Sequence, residues 1–167
     1  MFVQSLTSRP SLCDPLDAVE SYAARRDIPV RRVRDGEVHL GVDAAWNDFT
    51  LWFVWRPELE TMQVGASLAL TAEPEDVEAL SRLIVLANEN IWVGHFDLWS
   101  DDGAIVYRHG VVLPESASFE PDQVDVLVRY AVQAYERFYP AFTYVIGSGE
   151  PAEAALEAVM FETAGTA

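Results

Sequence analysis

The chain has 167 residues, half of them apolar, and a formal net charge of −16. This length and apolar content predict one folded domain with a single core and exclude a disordered chain. The negative charge argues against a nucleic-acid partner and against docking on anionic lipid, because both forms of binding depend on positive charge.

Residue usage narrows the range of functions further. All eleven basic residues are arginine, which excludes any mechanism that requires a lysine amine. The single cysteine, Cys13, cannot form a disulfide within the chain. The first ten residues lack the basic start and continuous apolar run of a secretory signal, and the apolar runs are too short to cross a membrane. We therefore expect a cytoplasmic protein.

The first part of the chain predicts a helix and a hairpin. The segment 14–26 begins with Asp-Pro, which is typical of a helix start because Asp caps free amides and Pro fits the first turn. Apolar residues then recur at helical spacing. The segment 30–42 has Asp-Gly between two short alternating runs, 30–34 and 37–42, which predicts a β-hairpin.

Two longer strands are expected next. The segment 48–56 is apolar on both faces, which indicates a central strand, or one whose second face is covered by another element or chain. The segment 62–70 alternates between apolar and small or polar residues. That pattern predicts a half-buried strand antiparallel to its predecessor.

A second helix and a second hairpin follow. The segment Glu73-Pro74-Glu75-Asp76 is typical of a helix start, where the helix dipole favours acidic residues. Helical spacing marks a buried stripe that comprises Val77, Leu80, Ile84, Ala87 and Ile91, broadened by Leu83. Two apolar runs, 91–99 and 104–113, are joined by a polar turn with Gly103 and predict the hairpin.

The C-terminal part predicts two helices. The first covers 121–138 and should be stopped by Pro140, because proline lacks the amide hydrogen that a helix interior needs. An aromatic extension at 141–146 and a flexible joint at 147–149 should separate it from a last helix over 151–161.

Strands with local pairings and grouped helices predict an α+β fold. We expect an antiparallel sheet of about five to six strands packed with three to four helices. A single domain should cover residues 14–162, with loose termini at 1–13 and 163–167.

Candidate catalytic and metal-binding residues do not form a recognisable pattern. His39, His95 and His109 fall in different predicted strands, and none has the spacing of a metal-binding motif. Ser148 lies between two glycines rather than in G-x-S-x-G, and no phosphate-binding loop is present. We expect no catalytic residues, no metal and no cofactor.

Tryptophans give the clearest indication of a binding surface. Alternation places Trp52 opposite the face that carries Leu51 and Phe53, and it places Trp99 opposite Phe96. Two interpretations stay open. Either these side chains pack under another helix, or they form a dimer or partner surface, where aromatic residues are enriched.

The segment 25–34 contains five of the eleven arginines. This basic cluster either meets an acidic patch, on a partner or on the chain itself, or is a solvated helix end and edge hairpin. In the second case the charges would also block unwanted strand pairing, and we favour this second interpretation.

A family resemblance is carried by the segment 83–108, which reads L-I-V-L-A-N-E-N-I-W-V-G-H-F-D-L-W-S-D-D-G-A-I-V-Y-R. It resembles the signature region of the YbjN-like family of bacterial sensory transduction regulators. The matching positions are Asn88, Gly94, Phe96, Asp97, Gly103, Tyr107 and Arg108. The similarity continues through E-P-D-Q-V-D-V-L-V-R-Y-A and covers roughly residues 14–159.

The resemblance implies an α+β fold similar to that of type III secretion chaperones. Those chaperones are small acidic dimers that bind stretches of other proteins on apolar surfaces. The family carries no established catalytic residues, so the resemblance transfers none to this chain.

We therefore expect a non-catalytic protein-binding module, chaperone-like or regulatory, that forms a homodimer and binds neither nucleic acid nor membrane. The predicted partner surface comprises Trp52, His95, Trp99 and Arg108. The alternative is a sensor domain that binds a small molecule in a pocket between sheet and helices.

Overall fold

The computed structural model describes residues 14–114 and 117–164, with side chains described as far as residue 160. The predicted loose segment 1–13 and the last three residues of the predicted loose segment 163–167 lie outside the described residues, whereas 163–164 belong to the last helix. In chain order, the elements are α1 (Pro15–Arg26), β1 (Val30–Arg34), β2 (Glu37–Val42), β3 (Phe49–Arg56), β4 (Thr61–Thr71), α2 (Val77–Asn88), β5 (His95–Leu98), β6 (Ala104–Val112), α3 (Pro121–Ser148) and α4 (Ala152–Ala164).

Within the described residues, six strands form one sheet in the spatial order β1-β2-β3-β4-β6-β5. Every neighbouring pair is antiparallel, and four α-helices accompany the sheet. This architecture confirms the predicted α+β fold. Because β3 lies in the interior of the sheet, the central-strand interpretation of its apolar sequence is also confirmed.

One face of the sheet packs against the helices. It carries fully buried side chains such as Leu40 and Leu51, which join side chains from all four helices in one core. Phe96 of β5 makes edge-to-face contacts with Phe138 and Phe142 of α3, at ring-centroid distances of 5.8 and 5.1 Å. This aromatic geometry contributes stability beyond the area that it buries.

α1 begins and ends as its sequence predicts. The Asp14 carboxylate accepts a hydrogen bond from the Leu16 amide at 3.0 Å, and Pro15 occupies the first turn. The helix ends at Arg26, and Asp27 follows with a left-handed φ of 56°. Local capping signals were sufficient here because they act within one turn of the chain.

α2 keeps most of its predicted buried stripe. Leu80, Leu83, Ile84 and Ala87 are all buried. Val77 was expected among them, but it stands at the first position of the helix and is 42% exposed.

The turn between α2 and β5 differs from the prediction. Ile91 was expected on the helix, but α2 ends at Asn88 and β5 begins only at His95. The Asn88 side-chain amide donates to the Phe96 carbonyl at 3.0 Å and accepts from the Phe96 amide at 2.7 Å. Gly94, with φ of 78°, completes the turn. These contacts fold the expected strand start into a loop.

The prediction that Pro140 stops a helix is wrong, because α3 runs through it to Ser148 and has 28 residues. A proline at this position leaves the Glu136 carbonyl without its usual helical donor. The indole Nε1 of Trp46 donates to that carbonyl at 2.8 Å. The loop between β2 and β3 therefore supplies the hydrogen bond that proline removes.

Burial adds to the continuity of α3. Pro140 itself and its neighbours Phe138 and Phe142 are buried, and this packing offsets an interior proline that costs about 3 kcal/mol. The predicted joint at 147–149 is helical for two residues and ends with Gly149 at φ of 62°.

No helix in the described ranges combines the length and apolarity needed to cross a bilayer.

Candidate partner-binding surface

The second face of the sheet, here called the open face, points away from the core. We define it by Glu37, His39, Trp52, Val54, Gln63, Gly65, Asp97, His95 and Arg108. Register places these residues together, and the side chains among them are all half-buried. None of them belongs to the helix-packed core. The sequence left open whether the tryptophans pack under another helix. In the described part of the chain, no helix covers the open face.

Three of the four predicted partner-binding residues lie in one row across the open face. His95 pairs with Arg108, Arg108 with Gly65, and Gly65 with Trp52. The row continues from Trp52 to His39 on β2, so it crosses five adjacent strands. Residues in register on neighbouring antiparallel strands share a face and touch one another.

Trp99, the fourth predicted residue, follows the end of β5 on the same face and is 43% exposed. It lines a depression with a volume of ≈ 490 Å³ on the open face. The other lining residues are Arg34, Glu37, His39, Trp52, Val54, Arg56, Leu59, Thr61 and Gln63. The depression thus has two indole rings in its wall and charged groups around them.

Gly65 explains why Trp52 lies flat on the sheet. A β-carbon placed on Gly65 would approach Cζ2 of the Trp52 indole to 2.1 Å, so the indole occupies the space that a side chain would fill. Sequence reasoning missed Gly65 as a site residue. The available signal was a glycine inside an otherwise regular strand, which often marks a close approach.

The charge of Arg108 is balanced on the surface. Its guanidinium donates through Nε and Nη2 to one oxygen of Asp97, at 2.6 and 2.5 Å. Nε2 of His95 lies 3.4 Å from the same oxygen. Asp97 therefore links two of the predicted residues.

A second ion pair borders the depression at β2. Glu37 accepts from Arg34 Nε at 2.6 Å, and its other oxygen lies 2.7 Å from His39 Nε2. Burial alone would raise the pKa of Glu37, but the contacts with His39 and Arg34 outweigh it and hold the pKa below its ordinary value. Glu37 thus stays ionised and pairs with both basic side chains.

The predicted basic cluster turns largely toward the chain's own acidic surface. Arg32 contacts Asp14, Asp17 and Glu20 at 2.6, 3.0 and 2.9 Å. Hydrogen bonds with Glu20 and Asp14 raise its pKa. The favoured interpretation, a solvated helix end and edge hairpin, agrees with the position of β1 at the sheet edge and with the exposure of all five arginines. Arg32 in addition meets the chain's own acidic surface on α1.

The open face presents indole surface, ion pairs and partly accessible polar groups. Within residues 14–114 and 117–164, no cluster of three or more His, Cys, Asp or Glu side chains is arranged to hold a metal ion.

His109 lies on the opposite face of the sheet, in register with Val64. Its pKa is lowered first by burial and then by the charge of His95.

Comparisons with known proteins give a consistent family and fold. The YbjN family model, described as "Putative bacterial sensory transduction regulator", matches residues 15–143. A similar solved structure is that of YbjN from E. coli, described as "a putative transcription regulator". It is 14% identical, with 88% of this chain and 93% of that chain covered and a TM-score of 0.50. At this identity the likeness shows the fold alone. No curated protein matches the sequence.

Proposed function

The chain belongs to the YbjN family of bacterial regulators, and from this premise we propose that it is a non-catalytic regulator that binds another protein through the open face. The observation that carries the proposal is the row of Trp52, Gly65, Arg108 and His95 beside the ≈ 490 Å³ depression. Tryptophan and arginine dominate binding energy in protein interfaces, especially where they line concave sites.

The open face also suits a partner in its electrostatics. Arg108 and Arg34 are neutralised by Asp97 and Glu37 within the chain, so a partner can cover them without leaving an unpaired charge. Burying an already paired charge costs less than burying a free one. An apolar segment of a partner, seated on Trp52, is therefore the occupant that these residues favour.

Gly65→Ala tests the open face without removing any of its larger side chains. The added methyl group displaces the Trp52 indole, so a partner captured from a lysate of the source bacterium by the wild-type chain should be lost. Trp52→Ala and Trp99→Ala should lose the same partner. Quantitative mass spectrometry of the captured proteins measures the effect.

Gly110→Ala is the matched control for this experiment. Gly110 lies on the same face, in register with Gln63, and a β-carbon there meets no atom within 4 Å. Its captured proteins should equal those of the wild type. If every captured protein survives Gly65→Ala, Trp52→Ala and Trp99→Ala alike, the open face is not the binding surface.

We also propose that the protein is a chaperone-like homodimer, as the family resemblance implies. Multi-angle light scattering at tens of micromolar tests this state directly. A mass of twice the 18.6 kDa chain supports the dimer, and a strict monomer contradicts it.

A small-molecule sensor is the second candidate function, and one cleft favours it. The described residues line an open cleft of ≈ 810 Å³ between the start of α1, the end of β3 and the segment 117–121. Trp55, Leu113 and Phe119 are among its lining residues. This volume falls within the range of ligand pockets, about 300–1,000 Å³.

A thermal-shift screen across metabolites separates the two functions. A shift of several degrees with one compound, reduced by Phe119→Ala and unchanged by Trp52→Ala, would favour the sensor. The absence of any shift, together with a partner that depends on Trp52, would favour protein binding.

A further inference from the structure

Arg137 of α3 is a half-buried cation without a strong acceptor among the described residues. Its Nε is buried and has no hydrogen-bond partner. Nη1 lies 3.5 Å from the Asn90 carbonyl, and Nη2 contacts the Met160 sulfur at 2.8 Å. Cζ also lies over the Phe138 ring, 5.2 Å from its centroid, which attracts the charge but accepts no strong hydrogen bond. A thioether is a weak acceptor, so the five donors of this guanidinium have only weak acceptors here.

The contrast with Arg108 shows how unusual this is. Arg108 and Arg137 are the half-buried arginines of the described chain, and Arg108 has a close carboxylate in Asp97. Arg137 has none among the described side chains, although the protein carries an excess of acid with a net charge of −16. A buried cation is normally paired, because removing charge from water is costly.

The surroundings of Arg137 are aromatic and accessible. It lines a depression of ≈ 130 Å³ together with Trp92 and Tyr130. Trp92, in the loop between α2 and β5, is 100% exposed, and Tyr130 is 41% exposed. Tyr130 and Arg137 are seven residues apart on α3, so they share one side of the helix.

The size of the depression limits its occupant. Pockets for small molecules and cofactors have volumes of about 300–1,000 Å³, well above the ≈ 130 Å³ available here. A single side chain fits such a volume. A carboxylate is the group that completes a guanidinium, through two parallel hydrogen bonds.

We infer that the Arg137 depression is a second docking site, which receives an Asp or Glu side chain from an acidic segment of a partner protein. The carboxylate binds the guanidinium of Arg137, and Trp92 and Tyr130 cover the neighbouring residues of that segment. Tryptophan, tyrosine and arginine are the residue types that concentrate binding energy in interfaces. This site lies on the helical side of the molecule and does not depend on the open face.

Two pools of terminally blocked hexapeptides test the inference on the full chain. One pool has a fixed central Glu, the other a fixed central Gln, and the remaining positions are mixed. NMR follows the indole N–H signal of Trp92, assigned with Trp92→Phe. The Glu pool should move this signal saturably at concentrations up to about 5 mM, which suffices for dissociation constants near 1 mM. The Gln pool should leave it unmoved.

Variants separate the site from a general charge effect. Arg137→Lys keeps the charge but loses the two parallel N–H donors that a guanidinium offers to a carboxylate. Affinity for the Glu pool should therefore fall at least about tenfold. Tyr130→Ala, at an exposed position of the same depression, keeps the Trp92 signal and the fold and should also weaken binding. Arg129→Lys is the matched control, because Arg129 is on the same helix but already pairs with Asp125.

Three results would overturn the inference. Equal movement of the Trp92 signal by both pools would assign the site to apolar contact. An equal effect of sodium acetate or sodium phosphate at the concentration of the Glu pool would assign it to free anions. A signal that the Glu pool leaves unmoved up to about 5 mM would exclude docking of an acidic segment.

Discussion

The hydrogen bond from Trp46 to the Glu136 carbonyl leads to a quantitative prediction about the proline in α3. Trp46→Phe removes the indole donor, and Pro140→Ala restores the backbone amide that the same carbonyl would use in a regular helix. The two substitutions should therefore be coupled. Loss of the indole should destabilise the protein when Pro140 is present and should matter little when it is replaced.

The size of the coupling follows from the geometry. The Nε1–O distance of 2.8 Å is that of a sound hydrogen bond, which contributes about 0.5–1.5 kcal/mol net. Trp46 is 50% exposed, so water partly replaces the lost donor and the lower half of that range applies. We expect Trp46→Phe to lower the free energy of unfolding by about 0.5–1 kcal/mol in the wild type. In the Pro140→Ala background, Trp46→Phe should lower the free energy of unfolding only by the amount that the smaller phenylalanine ring causes.

Urea unfolding measures these free energies for four proteins: the wild type, Trp46→Phe, Pro140→Ala and the double variant. The comparison requires that all four show the same dependence of unfolding free energy on urea concentration. The effect of ring size cancels between the two backgrounds, so the difference reports the hydrogen bond alone. Trp92→Phe, at a fully exposed tryptophan, should have the same small effect in both. Equal costs for Trp46→Phe with and without Pro140 would refute the view that the indole replaces the missing amide.

Three further predictions concern the segment around β5 and β6. Asn88→Ala leaves both backbone groups of Phe96 without a partner and should cost about 1–3 kcal/mol of unfolding free energy in urea; an unchanged midpoint would contradict this. Gly94→Ala places a β-carbon 2.3 Å from Tyr107 Oη at a φ of 78°. Thermal unfolding should therefore show a loss of about 2–4 kcal/mol of unfolding free energy. A variant as stable as the wild type would mean that the turn relaxes freely. The pKa of His109 is lowered in the folded protein, by burial and then by His95. At this residue the unfolded chain therefore binds a proton more readily than the folded chain does. The stability from neutral His109 should be complete above its ordinary pKa of 6.5 and fall as pH drops through the lower folded value, and His109→Gln should flatten this part of the pH–stability curve.

Signals that act over a few residues allowed most of the elements to be predicted. The Asp-Gly turn between β1 and β2 and the Asp14 cap of α1 each determine their structure within one turn. Pro140 was misjudged because its missing donor is replaced by Trp46, which is distant in sequence. A helix-breaking signal is local, but the contact that overrides it is tertiary.

The candidate surface shows the same division. Alternation along each strand placed Trp52 and His95 on the face away from the core, because side-chain direction has a period of two. Their alignment in one row depends on which strands are neighbours, and β4 pairs with β6 rather than with β5. Sequence alone does not specify that order or the register of Gly65 with Arg108. The joint position of these residues therefore required the structure.

The Asn88 amide also determines how the sheet can associate. In β5, the backbone groups of Phe96 point to the outer edge of the sheet, and the amide occupies both of them, as one residue of a further strand would. β5 itself has only four residues, so little of this edge remains for an incoming strand. Exposed strand edges are the usual starting points of edge-to-edge aggregation. The sheet is therefore protected from extension at β5, and a partner approaching from that side has to meet a face of the sheet rather than lengthen it.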